Sequence, residues 1–188
     1  PLNLQPLPRW ITTAAQAGRV EGAPDRGATL FAAGAAVHAL DAVLRADPPW
    51  LGCWRMRLTL KAAVAGARLL RIEADEAGMR DVLHLTRAGD DPGPAGRLHA
   101  ALRRWADRPL RLAGETESAV LAEAGQGRGA GELATLLAAD RALGERLGWA
   151  RPLPLHLAAV HDPALRRGRD GQRLRTDEPG WEQARHIV

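Results

Sequence analysis

Tyrosine is absent from this 188-residue chain, and phenylalanine, cysteine, lysine and serine each occur once. With aromatics at 4% and few β-branched residues, the side chains that favour strands are scarce. Ala and Leu, the strongest helix formers, dominate instead, so the composition is that of an all-α protein. A single cysteine, Cys53, rules out an intramolecular disulfide and any zinc-finger spacing, and places the chain in a reducing cytoplasm. Set between Trp50 and Trp54, Cys53 reads as a core residue. The one serine, Ser118, lies in ETESAV with no nucleophile elbow around it, so nucleophilic catalysis has almost no inventory to draw on. No uninterrupted apolar run approaches the ~20 residues of a membrane span.

Lysine is nearly missing too, and this reshapes the meaning of a pI of 10.7 and a net charge of +4. Lys61 stands among arginines, which hardly deprotonate, so the pI exceeds what the field at neutral pH warrants. Residues 1–112 hold 16 cations against 11 anions and residues 113–188 hold 10 against 11, so the surplus is diffuse.

The length fits one domain. An extended arm over 1–24, rich in Pro, precedes a four-helix core over 25–108. Asp25 reads as the cap of a helix to about 46. A second helix over about 50–71 carries Trp50, Trp54, Leu58, Ala62, Ala65 and Leu69 on one stripe, and the two are expected to pair antiparallel. The third covers about 75–87 and stops at Gly89, and the fourth starts at Asp91-Pro92 and reaches about 106. Residues 109–149 hold a short helix near 115–124, a Gly-rich joint at 125–131 read as a hinge, and a leucine-striped helix ending at Gly148-Trp149. Residues 150–188 read as an irregular basic tail and a helix stub, whose abrupt stop marks the chain as a fragment. The expected architecture is an irregular bundle of about five to seven helices.

The chemistry-bearing groups sit beside the apolar stripes. His38 and Asp41 are three apart on the first helix, Asp81 and His84 three apart on the third, and Asp140 interrupts a leucine stripe. Two such pairs on neighbouring helices could converge on a divalent metal. The ferritin-like spacing is incomplete, however, so the preferred expectation is a structural network in which Asp41, Asp81 and Asp140 pair with arginines. In GDDPGPAGR, Asp90 and Asp91 occupy the positive end of the following helix, which favours self-capping over anion binding. The joint fits G-x-G-x-x-A at Gly125, Gly127 and Ala130, but no strand precedes it, so no cofactor is expected. Glu73 and Glu76 resemble half of a Mg²⁺-holding pair whose second half is missing; an acidic first helical turn explains them. Arg57, Lys61, Arg68 and Arg71 fall near one face of the second helix, and Arg166, Arg167, Arg169, Arg173 and Arg175 cluster in the tail, giving candidate nucleic-acid contacts.

The run PPWLGCWRMRLTLKAAVAGARLLRIEADEAGMRDVLHLTRAGDDPGPAGRLHAALRRWA, with ALGERLGWARPLPL and DEPGWEQAR later, resembles an uncharacterised bacterial family of unknown function, number fourteen-oh-three in the domain-of-unknown-function series. The likeness spans the chain from about 28 onward, and DEAGMRD with GDDPGPAGR carries its specificity. It implies no activity, cofactor or site residue; it does imply longer members, hence a shortened chain here. The sequence therefore points to a non-enzymatic interaction or scaffold module with a protein partner, or a second copy held through an exposed Trp or Leu surface. The alternatives are a DNA/RNA-contacting accessory protein and a metal-dependent hydrolase built on His38, Asp41, Asp81 and His84.

Overall fold

The computed structural model describes residues 26–125 and 128–162, and among these every regular element is helical. Seven α-helices run in order: α1 Arg26–Ala46, α2 Leu51–Leu69, α3 Glu76–Leu85, α4 Gly93–Asp107, α5 Ala113–Ala124, α6 Arg128–Leu147 and α7 Leu155–Ala159, with a 3₁₀ turn at Leu110–Leu112 before α5. No helix among the described residues is long and apolar enough to cross a membrane. Asp25, the arm and the tail cations lie outside the described residues.

Two compact units divide the described chain at Leu51/Gly52. The first contributes α1, whose last turn holds an Asp41–Arg45 ion pair at 2.8 Å. The second, Gly52–Asp162, contains the principal core and everything argued below.

In this second unit α2 is the strut. Ala62, Ala63, Val64, Ala65, Gly66 and Ala67 are all buried, so small side chains let neighbouring helices approach its axis closely. Gly66 shows how closely: a Cβ there would lie 3.6 Å from Leu133 of α6, 3.7 Å from Leu98 of α4 and 4.0 Å from Leu157 of α7. Leu102, Trp105 and Leu137 complete this core, all fully buried. Around the strut α3 packs on α4, α4 on α5, α5 on α6 and α6 on α7.

Local chemistry sets the helix ends. Asp75 caps α3 by accepting the Gly78 N–H at 2.7 Å, and Thr86 closes it, three residues earlier than the turn glycine Gly89. Helix α4 opens at Gly93 rather than Asp91, since Pro92 precedes the first helical residue and Pro94 follows in the first turn. Helix α2 ends in a Schellman motif, with Ile72 N–H on Ala67 O at 2.8 Å and Arg71 N–H on Arg68 O at 3.2 Å. Arg71 occupies the left-handed position of that motif with φ of 59°, where glycine is the usual occupant. Gly148, φ 66°, fills the same place at the end of α6 and turns Trp149 inward.

Three expectations change. Cys53 is exposed, not a core residue, because it lies one turn before Arg57 on the outward side of α2. The stretch after 150 is not uniformly irregular: it includes α7, whose Leu157, with Val160 at the helix end, is buried in the core. The glycine-rich joint is shorter than expected, because α6 begins at Arg128.

Opposite outcomes follow from two glycine substitutions. Gly66→Ala meets only ordinary contacts and gains helix propensity, so urea unfolding will show a stabilisation of about 1 kcal/mol or slightly less. Gly129→Ala would place its methyl 2.1 Å from the Leu69 carbonyl oxygen, and the same measurement will show a loss of about 2 kcal/mol or more. Arg71→Gly relieves the left-handed backbone and raises the unfolding midpoint, by up to about 1 kcal/mol in stability.

Candidate functional site

Leu133, Leu136 and Leu137 place one face of α6 inside the core, and the next residue on that face is Asp140, which has 0% exposure. An unpaired carboxylate there would lose several kcal/mol of hydration. Its partners come from α7. Pro152 and Pro154 bring the chain in without N–H donors of their own, so the first turn of α7 offers free N–H groups and no side chain of its own caps them. Asp140 supplies the acceptor from the neighbouring helix, taking the His156 N–H at 2.9 Å and the Leu157 N–H at 3.4 Å. Its Oδ1 also lies 2.7 Å from His156 Nδ1. A carboxylate accepts, so Nδ1–H donates and Nε2 is left as the titrating nitrogen of a half-exposed ring.

Charge follows from this geometry. The Asp140 hydrogen bond raises the His156 pKa above the usual imidazole value, against a smaller opposing effect of burial. Burial in turn pushes the Asp140 carboxyl upward, partly countered by His156 and the two backbone N–H groups. The pair thus holds its proton to higher pH than a free imidazole or a free carboxyl would.

Arg55 pins the same region from the other side. Its guanidinium donates to Ala106 O at 2.9 Å and Pro152 O at 3.1 Å, tying α2 to the end of α4 and to the chain entering α7. His161 Nε2–H, 3.0 Å from Ala65 O, fastens the exit of α7 to α2.

Of the other acids singled out in the sequence, Asp41, Asp81 and Asp91 meet arginines. Half-buried Asp41 bonds Arg45, and exposed Asp81 bonds its neighbour Arg80 at 3.2 Å. Asp91 accepts the Gly93 N–H at 3.0 Å and both of its oxygens lie 2.7 Å from Arg97 Nη1, which holds its carboxyl below the usual range. Arg97 also reaches Glu123 at 3.1 Å, so the acidic turn is clamped to α4 and α5. Asp90 is exposed, and its backbone N–H bonds Arg87 O within the turn. His38 and His84 are exposed, and among the described residues no three His, Cys, Asp or Glu side chains gather as metal ligands would. Asp140 departs from the expected arginine pairing: its partner is His156, because α7 rather than any arginine covers it.

On α2, Arg57, Lys61 and Arg68 share one outward side and none forms an ion pair among the described residues. Arg71 is exposed but lies past the helix end. Arg166, Arg167, Arg169, Arg173 and Arg175 lie outside the described residues.

Sequence reasoning missed two histidines. His156 lies sixteen residues beyond its acid, and the only signal was a carboxylate where the leucine repeat demands an apolar side chain. His99 is 5% exposed, bonds the Met79 backbone, and leaves Nδ1 without a partner among the described residues; burial first, then the charges of Arg103 and His84, lower its pKa against the opposing Met79 bond.

Among known families, residues 2–123 match the one described as Protein of unknown function (DUF1403). The match takes in DEAGMRD and GDDPGPAGR and ends inside α5, ahead of Asp140, His156 and the later ALGERLGWARPLPL. No curated protein and no solved structure matches the chain.

Asp140→Ala strips two N–H groups and the imidazole of their acceptor, and chemical denaturation will show a loss of about 3 kcal/mol. The pH dependence has a fixed sign. Because His156 is raised, its contribution is complete below the ordinary imidazole pKa of about 6.5 and is lost as pH rises through the folded value. The stability gap between the native chain and His156→Gln will therefore shrink from pH 6 to pH 9 in matched melts.

Proposed function

The chain belongs to the DUF1403 family of unknown function, and on its own geometry we propose that it is a non-enzymatic interaction module that holds an acidic protein surface against the outward side of α2. One observation carries this reading: Arg57, Lys61 and Arg68 are exposed at helical spacing and unpaired among the described residues, while Arg45, Arg97 and Arg141 are engaged by carboxylates. The opposite side of α2 is fixed by buried Ala62, Ala63 and Ala67, so the cations are presented from a rigid support. Rigid presentation lowers the entropy lost on docking. The interior acid Asp140 is saturated by α7, which supports a structural role for it in place of a chemical one.

A second reading, contact with a nucleic-acid backbone, draws on Trp54. It is half-buried three residues before Arg57 and so shares that side of the helix, where an indole beside cations suits a base as well as a protein. Fluorescence anisotropy with the full chain separates the two, using labelled poly-glutamate and labelled random duplex as probes. The module reading expects poly-glutamate to bind and to lose at least about tenfold in affinity in the Arg57→Glu, Lys61→Glu, Arg68→Glu triple variant. Tighter binding of duplex, with a log–log salt slope near about −3 for three phosphate contacts, transfers the assignment to nucleic acid. Binding of neither probe at low salt contradicts both.

A further inference from the structure

A second group of cations, on α4, lines a groove. Arg103 and Arg104, with Arg108 just past the helix, stand with Ala100 and Asp107 on one wall, and Leu83 of α3 faces them across an open volume of about 420 Å³. That size lies within the range of small-ligand sites. None of the three guanidinium groups has an ion pair or side-chain hydrogen bond among the described residues, although Arg97 on the same helix is fully engaged. Three cations against the one carboxylate of Asp107 leave the lining at +2 (3 − 1).

The helix end explains only part of this. Cations in the last turn complement the negative pole of α4, but that effect is weak and satisfied by one of them. Arg103 is half-buried, so it has surrendered some hydration without gaining a carboxylate. Its charge also reaches the buried His99 on the same face, one turn earlier. Leu83 and Ala100 add an apolar wall beside the cationic one.

We infer that this groove binds a small phosphate monoester, its phosphoryl oxygens held by Arg103, Arg104 and Arg108 and its apolar body lying against Leu83 and Ala100. Guanidinium forks match phosphoryl oxygens in bidentate geometry, and several together accommodate a dianion that a single arginine holds poorly. The site is separate from the α2 face and does not depend on the function proposed for it.

The test is a titration of the full chain with phenyl phosphate, inorganic phosphate and benzyl alcohol, followed by the NMR signal of His99 Cε1, which senses the charge at Arg103. The expected result is saturable binding of phenyl phosphate with a dissociation constant below about 1 mM, weaker binding of inorganic phosphate and none of benzyl alcohol. Arg104→Gln and Arg108→Gln, both at exposed positions, should each weaken phenyl phosphate at least about tenfold, whereas Arg146→Gln on α6 and the α2 triple variant should leave it unchanged. No saturable shift, or an equal loss in Arg146→Gln, overturns the assignment.

Discussion

A carboxylate without exposure in a leucine-lined interior is the constraint around which the second unit is organised. Asp140 could not remain there uncompensated, and three donors at 2.7 to 3.4 Å from α7 compensate it. Those bonds give the five-residue helix Leu155–Ala159 a start that its own sequence, entering through prolines, does not provide. Once α7 is seated, Leu157 and Val160 close the core, and Leu157 approaches Gly66 of the central strut. Arg55 and His161 fasten the entry and exit of the same segment to backbone carbonyls. A few polar contacts therefore hold an apolar seal.

The rest of the core depends on smallness. With one phenylalanine and no tyrosine, the chain fills its interior with Leu, Ala and a buried Trp105, and lets helices approach by deleting side-chain volume. Gly96 sits where a methyl would meet Pro92 and Val82 at 2.5 and 2.6 Å, and Gly144 where it would meet Leu110 at 2.8 Å. This style of packing leaves long polar side chains on the outside of α2 and α4, where Arg57, Arg68, Arg103 and Arg104 have no carboxylate partner among the described residues. The basic face and the groove are consequences of how the interior is built.

Much of the helical plan was legible because it is local. The helix beginning near residue 75, the Ala62 and Ala65 part of the α2 stripe and the leucine repeat of α6 each declare themselves within a few residues. Misreadings arose where a residue's environment is set at a distance. Cys53, flanked by tryptophans, resembles a core residue until its one-turn offset from Arg57 is followed. Asp140 was recognisable as anomalous, yet its partner lies beyond a Pro-rich stretch whose short helix has no intrinsic stability. The α4 groove joins Leu83 to Arg108 across two helices, and periodicity within one helix does not report that pairing.

The account rests on a carboxylate that is a structural acceptor and an imidazole that is its donor. The most direct measurement is an NMR titration of His156, following Cε1–H shift and the ring nitrogen signals in the native chain and in Asp140→Asn. The account predicts a titration midpoint above the ordinary 6.5 with Nδ1 protonated, collapsing toward that value once the acid is neutralised. A midpoint at or below 6.5 in the native chain, unmoved by Asp140→Asn, would contradict it.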